Sequence, residues 1–582
     1  MAKKKKTQKS VEHLKHEEAT RKNIPPAEYQ SMVSKDVQNP VQVTYERRNR
    51  DLDPQLVWRG KDEQDWSDLV VQAPPLYIQE KIHPKVLIEN LKRRSEEGKK
   101  ATDTQMSLFA DFNGMEDQQK ETEFYQHDKN WTNRMILGDS LQVMASLAER
   151  EGLRGKVQCI YIDPPYGIKF NSNFQWSTTS RDVKDGKAEH ITREPEQVKA
   201  FRDTWRDGIH SYLTYLRDRL TVTRDLLADS GSVFVQIGDE NVHRVRALMD
   251  EIFGEDNFIS QINFRTAMTK PTKGLNNVFD YIVWYAKYKD SYKFRPLYNE
   301  KKQTDEISTH QLKASVLQNV YPFTFRGTNY NPSNGWRCTK DGLERLGYAN
   351  RLYQAGNLND KSGTLKFIRK NSDFPFSQID NTWNQQSSEQ NKSYVVQTAV
   401  KIIMKCVLMS SDVGDLVLDP TCGSGTTATV AEQWGRRWIT IDTSRVALAL
   451  ARSRLMGAKY PYYILADSKV GQKKEAELQK KAPSDKPTYG NIRHGFVYER
   501  VPHITLKSIA NNSEIDVIWD KYQETMEPLR EKLNAALNTN WEEWQIPRKA
   551  KEDWPKEAKD LHAQWWKQRI NRQKEIDQSI AN

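Results

Sequence analysis

The chain has 582 residues, 37% hydrophobic and 29% charged, which at about 150 residues per domain is enough for several compact units and a core of enzyme size. No run approaches the ~18 consecutive apolar residues of a spanning helix, and Met1 to Lys6 carries no secretory apolar stretch, so no membrane protein is expected and a cytoplasmic location fits. The 89 Lys+Arg against 78 Asp+Glu leave a net charge of +11, compatible with a polyanionic partner. The four cysteines (Cys159, Cys338, Cys406, Cys422) are too widely spaced for a disulfide framework or a Cys-x-x-Cys zinc site.

Residues 1–130 read as a polar, irregular N-terminal arm, partly helical at Pro84 to Arg94, with isolated apolar islands such as Leu69 to Val71. The character changes at Arg134. Met135 to Leu137 is a short apolar run closing on Gly138-Asp139, followed by the helical spacing Leu141, Met144, Leu147. Val157 to Ile162 is a second buried-strand signal and also ends in an acid, Asp163. Helical spacing at Tyr212, Leu213, Leu216 and Leu220 leads into a strand at Ser232 to Ile237. A helix at Val242 to Phe253 and strands at Phe258 to Phe264 and Tyr281 to Ala286 follow. Strands alternating with helices predict an α/β fold with an open, mostly parallel sheet covered on both faces.

The pattern breaks over 289–390, read as an inserted module, and resumes with a helix at Val395 to Ser411, a strand at Leu416 to Leu418, a helix at Thr426 to Trp434 and a strand at Trp438 to Ile441. The expected organisation is a catalytic half at 131–288, the insertion at 289–390 and a cofactor half at 391–468. A Lys-rich linker with short strands follows at 469–511, and a Trp-rich helical extension at 512–582.

Two loops carry chemistry. Asp419-Pro420-Thr421-Cys422-Gly423-Ser424-Gly425-Thr426-Thr427 lies between a strand and a helix. Glycines permit a tight turn and close approach of a ligand to backbone amides. No Lys follows Gly425, which disfavours a phosphate-cradling loop, and Asp442 at the end of the next strand suits the two hydroxyls of a ribose. Together they describe a nucleoside site. The second loop is Asp163-Pro164-Pro165-Tyr166-Gly167. Its prolines stiffen the backbone and leave acceptor carbonyls. Asp163 and the Pro164 carbonyl can accept from an exocyclic NH2 while Tyr166 stacks on the ring that bears it.

Asp163 to Tyr166 followed later by Asp419 to Thr427 resembles the amino-methyltransferases of DNA in the permuted beta order. Tyr394 to Thr398, Phe279 to Lys287 and Gly138-Asp139-Ser140 are similar to the modification (Mod) subunits of type III restriction-modification systems. The resemblance implies a Rossmann-like, S-adenosylmethionine-dependent methyltransferase sheet with an inserted target-recognition region and a helical C-terminal extension. Its expected activity is methylation of N6 of a flipped adenine in double-stranded DNA, within a restriction-modification or related defence system. No metal is needed, because the sulfonium is already an activated methyl donor. By the same resemblance Asp163, Pro164, Pro165 and Tyr166 are catalytic. The cofactor contacts are Asp139, Thr398, Asp419, Thr421, Cys422, Gly423, Gly425 and Asp442. Thr421 replaces the usual Phe, which removes an apolar cofactor contact. A homodimer and a separately encoded restriction/helicase subunit are the implied partners.

By elimination, target recognition falls to the insertion, where Arg326, Asn329, Asn331, Trp336, Arg337 and Lys340 are suitable types for DNA contacts. Three alternatives remain. Cytosine-N4 methylation uses the same amine logic, although Asp163 leans toward adenine. A protein-glutamine methyltransferase resembles a chain with the opposite loop order. A catalytically silent DNA-specificity subunit would have no use for intact Asp163, Tyr166 and Asp442.

Overall fold

In the computed structural model of the chain, the described residues are 41–46, 55–75, 79–82, 131–165, 207–265, 278–301, 306–356, 364–384, 399–479, 481–484, 486–501 and 503–581. They divide into two units, one comprising the chain to Leu297 with Ile379–Tyr498, the other Tyr298–Gln378 with Glu499–Asn582. The helix expected at Pro84 to Arg94 lies outside the described residues.

The first unit is built on a nine-stranded sheet. In chain order its strands are β1 (Gln79–Ile82), β2 (Asn133–Leu137), β3 (Val157–Ile162), β4 (Leu227–Ile237), β5 (Phe258–Arg265), β6 (Phe279–Ala286), β7 (Thr382–Trp383), β8 (Leu416–Asp419) and β9 (Arg437–Asp442). In space they run β7-β5-β6-β4-β3-β8-β9-β2-β1. The central five, β4, β3, β8, β9 and β2, are mutually parallel. Antiparallel pairings join β4 to β6, β6 to β5 and β2 to β1.

Side-chain alternation explains why the central strands read as unbroken apolar runs. Ile160 and Ile162 of β3 face one core with Leu416, Leu418, Ile439 and Ile441. Cys159 and Tyr161 face the opposite core with Val417 and Trp438. A strand buried on both faces has no polar side to show. Helices α1 (Ser140–Glu149), α2 (Ile209–Leu226) and α3 (Val242–Phe253) cover the first face; α4 (Val400–Ser410), α5 (Thr426–Gln433) and α6 (Arg445–Gly457) cover the second. The fold is therefore a three-layer α/β sandwich of Rossmann type, as expected.

Two parts of the chain differ from the sequence reading. Val41–Tyr45 and Leu69–Ala73, placed in an irregular arm, form an antiparallel pair whose Val43, Tyr45, Leu69, Val71 and Ala73 are buried in the first core. Each strand has five residues, too few for alternation to stand out in a polar context. A buried ion cluster ties this segment down. Lys61 Nζ lies 2.7 Å from Glu251, and Arg217 bridges Asp65 at 2.6 Å and Glu251 at 3.0 Å. The Lys-rich stretch read as linker contains the helix Lys469–Gln479.

In the second unit, Tyr298–Gln378 supplies a three-stranded antiparallel sheet, a short hairpin (Phe323–Phe325 with Thr328–Tyr330) and the helix Lys340–Tyr348. The C-terminal helices Glu514–Leu537 and Lys556–Ala581 fold with it. Leu312, Leu343, Leu346 and Phe367 share a core with Ile509, Ile515, Ile518 and Ile576. Most tryptophans of the extension pack within the unit. Trp554 and Trp565 are buried between the helices, and Trp519 stacks on Tyr348 with ring centroids 3.9 Å apart.

Candidate active site

Asp163 directly follows β3 and Asp419 ends β8, and these parallel strands are neighbours, with Val417 beside Cys159 and Leu418 beside Ile160. Both loops therefore leave the sheet at the same edge, where strand order reverses and ligands bind in open α/β folds. They touch. The Asp163 amide donates to Thr421 Oγ1 at 2.8 Å across 258 positions of sequence. Thr421 is itself fixed to Asp419, whose Oδ1 accepts from the Thr421 amide at 2.9 Å and from its hydroxyl at 3.1 Å. The threonine read from sequence as a lost apolar contact is a polar strut between the two loops. A phenylalanine there could make neither of the two hydroxyl hydrogen bonds. Pro164 is buried and Pro165 half-buried. Tyr166 and Thr398 lie outside the described residues.

The glycine-rich turn is held to its neighbours by backbone bonds: the Cys422 amide donates to Ile441 O and the Gly425 amide to Cys422 O, both at 2.9 Å. Gly425 has φ +72° and opens α5, and a Cβ there would stand 2.7 Å from Ala451 Cβ. Only glycine meets both demands. Buried Cys422 sits beneath the turn. Arg454 closes its far side, donating to Ser424 Oγ at 3.2 Å and Thr426 Oγ1 at 2.8 Å.

Asp442 braces the turn from β9. Its Oδ2 accepts from the Gly423 amide at 2.9 Å and its Oδ1 from the Ser444 amide at 2.8 Å. Burial pushes the carboxyls of Asp442 and Asp419 each up to about 6, against the hydrogen bonds that hold the charged forms. The Gly138 amide donates to Asp442 O at 3.0 Å, which places the end of β2 at the same edge. There Asp139 caps α1 through the Leu141 amide at 2.8 Å and accepts from Arg219 Nη2 at 2.8 and 3.0 Å.

Arg219 and Tyr215 of α2 are functional candidates that the sequence reading missed. The Arg219 guanidinium lies 3.5 Å from the Tyr215 ring centroid. Burial first, then the carboxylates of Asp139 and Asp442, raise the Tyr215 hydroxyl, while Arg219 opposes them. The available signal was an arginine on the stripe of Tyr212, Leu216 and Leu220, where a buried helix face has no reason to carry a charge without a partner.

The residues assigned to DNA from the insertion lie in the second unit. Arg326, Asn329, Asn331, Arg337 and Lys340 are exposed. Trp336 is a correction. It is 1% exposed, its Nε1 donates to Tyr321 O at 2.9 Å, and its ring packs against Phe323, so it holds the core of the unit together. Among the described residues no group of three or more His, Cys, Asp or Glu could hold a metal ion, and no helix is long and apolar enough to cross a membrane.

A family model described as DNA methylase matches residues 157–453, from β3 into α6 and just over half the chain. The chain belongs to the DNA methylase family. Among the relatives of this methylase is the type II methyltransferase M.EcaI of Enterobacter cloacae, 26% identical over 344 residues, covering 56% of this chain and 70% of that protein. The type III restriction-modification enzyme StyLTI Mod subunit of Salmonella typhimurium is 25% identical over 341 residues, covering 52% of this chain and 50% of the relative. The methylase thus spans half the length of that Mod subunit. The solved PvuII DNA methyltransferase (cytosine-N4-specific) aligns over 56% of this chain and 87% of its own with 14% identity and a TM-score of 0.30. The fold assignment stands on the strand order alone.

Proposed function

We propose that this methylase transfers a methyl group from S-adenosylmethionine to N6 of an adenine extruded from double-stranded DNA, as the modification component of a restriction-modification system. The contact between Asp163 and Thr421 carries the reading, because it sets the amine-gripping loop beside the glycine-rich turn. The residues present suit the methyl donor. A carboxylate offers about four acceptor positions; Asp442 accepts from the amides of Gly423, Ser444 and Thr443, which leaves capacity for a ribose hydroxyl. Gly423, with no side chain, leaves room for a ligand against the turn, and Asp139 lies one strand away for the adenine edge.

S-adenosylmethionine supplies a methyl already activated on sulfonium. The task of the protein is to prepare the acceptor. An adenine amine is delocalised into its ring; acceptance of its two N–H bonds by Asp163 and the Pro164 carbonyl favours the pyramidal nitrogen that attacks in line. In this reading the Asp163 carboxylate takes the proton released. Extruding the base costs a few kcal/mol by general estimate, met by contacts from residues such as Tyr166.

The names of the Mod relatives support adenine as the base and a restriction-modification setting; a separately encoded restriction/helicase subunit, a homodimer and a cytoplasmic location belong to the same proposal. The deciding experiment incubates purified protein with methyl-labelled S-adenosylmethionine and DNA of diverse sequence, then analyses the nucleosides. N6-methyladenine from the parent protein and none from Asp163→Ala supports the reading. N4-methylcytosine changes the base, and no labelled nucleoside ends it.

A further inference from the structure

The second unit contains a cavity of about 470 Å³ lined from two distant parts of the chain, the insertion and the C-terminal helices. From the insertion come Arg326 and Lys340, and from the helices Arg569 and Arg572. The acids in its wall are Glu344 and Glu543, so the lining carries two more positive than negative charges.

Aromatic faces fix most of these cations in place. Arg572 lies 3.6 Å from the Trp519 ring centroid, Arg569 4.9 Å from that of Trp566, and Arg326 5.1 Å from that of Phe325. Glu543 is shared: it pairs with Arg572 and lies 3.7 Å from Arg569. Burial lowers the Arg569 guanidinium, and the neighbouring Arg572 and Arg326 lower it further against the pull of Glu543. The cavity therefore has surplus positive potential in a half-desolvated wall, where an anion gains more than it would in open water.

Arg326 adds a second indication. With Gly327 it forms the two-residue turn between the hairpin strands Phe323–Phe325 and Thr328–Tyr330, and both residues have positive φ, +48° and +76°. Such turns favour Asn or Asp followed by Gly. An arginine held in this unfavourable conformation, with its guanidinium in a cationic pocket, fits a position kept for its charge. At the rim Trp544 is 45% exposed, an unusual setting for so large an apolar ring.

We infer that this pocket binds a phosphate of duplex DNA, so that the Trp-rich helices serve as part of the DNA-holding surface together with the insertion. The inference rests on the DNA substrate proposed above. It is tested on the full chain with a labelled duplex, measuring affinity across a salt series for Arg326→Asn, which suits the turn, Lys340→Gln, Trp544→Ala and the charge-keeping Arg326→Lys. Arg326→Asn and Lys340→Gln are expected to weaken binding several-fold, equally on all sequences, and to lower the slope of log K against log salt by about one each. Arg326→Lys should bind like the parent, and S-adenosylmethionine affinity should be unchanged throughout. Parent-like affinity and slope in both charge-removing variants overturn the inference. So does a pocket that binds ATP or inorganic phosphate but from which duplex DNA cannot displace them. Unchanged DNA binding with intact methylation defeats the pocket alone; salt-sensitive binding lost in the variants, with no methylated base from the parent, defeats the proposed function alone.

Discussion

The hydroxyl of Thr421 accepts a hydrogen bond from the amide of Asp163 at 2.8 Å while donating to Asp419 at 3.1 Å. One side chain thus sets the spacing between the loop that would grip the target base and the loop that would hold the methyl donor. Thr421→Val keeps the shape and removes both bonds. The expected cost is about 1–3 kcal/mol for a polar group left without its partner. We also expect a drop in kcat of roughly tenfold, about 1.4 kcal/mol of lost transition-state alignment, with a smaller change in methyl-donor affinity. Thr421→Ser should behave like the parent. Steady-state methyl transfer with a separate donor titration checks this; equal losses in kcat and affinity would place the role in donor binding alone.

Asp442 gives a pH dependence with a definite sign. Its carboxyl is raised by burial to about 6, so the neutral form is favoured below that value, and ribose hydroxyls donate best to the charged form. Donor affinity should be flat above about pH 7 and fall toward tenfold per unit below about 6, the slope for one linked proton. In the ligand-free protein the sign reverses. A folded-state value raised above the ordinary 3.8 means that Asp442 and Asp419 disfavour folding once ionised, so their contribution to stability declines as pH rises from about 4 through 6. Calorimetric titration between pH 5 and 8 should show the affinity loss in the parent, and a weaker but pH-independent affinity in Asp442→Asn.

Gly425 and Gly457 form an internal control. A methyl at Gly425 meets Ala451 and requires φ +72°, whereas a Cβ at Gly457 meets nothing within 4 Å. Gly425→Ala should lose more than about 1 kcal/mol of stability and most of its donor affinity, and Gly457→Ala should be neutral or gain about 0.4–1 kcal/mol. Thermal unfolding and a donor titration on both variants decide it.

Glu251 neutralises two buried cations at once, Lys61 at 2.7 Å and Arg217 at 3.0 Å. Glu251→Ala should cost about 3–5 kcal/mol, the range for stranding a buried charge. Lys474→Ala, which breaks the exposed pair with Glu477, should change stability by less than about 1 kcal/mol. Urea unfolding of the two variants gives the comparison.

The central sheet was legible because strands buried on both faces leave unbroken apolar runs, and each run stops at an acid, Asp163, Asp419 or Asp442, where the sheet edge begins. Four things were not legible. Thr421 looked like a loss because its bonding partner lies 258 positions away. Trp336 looked like a DNA contact because a tryptophan suits both a packed core and a base-stacking surface, and residue type alone does not choose between them. The short strands Val41–Tyr45 and Leu69–Ala73 gain meaning only from each other and from the core they cover. Arg219 belongs with these, since only the fold reveals that Asp139 faces it.

The second unit draws one core from Tyr298–Gln378 and Glu499–Asn582, with the closing strands of the first unit translated between them. Leu343 and Leu346 emerge from the ribosome long before Ile515 and Ile576 exist to cover them. At about 5–20 residues per second, that face waits on the order of ten seconds or more in search of its complement. A chain cut short before Glu514 would strand it, leaving a sticky fragment in which every segment of the first unit is nonetheless present.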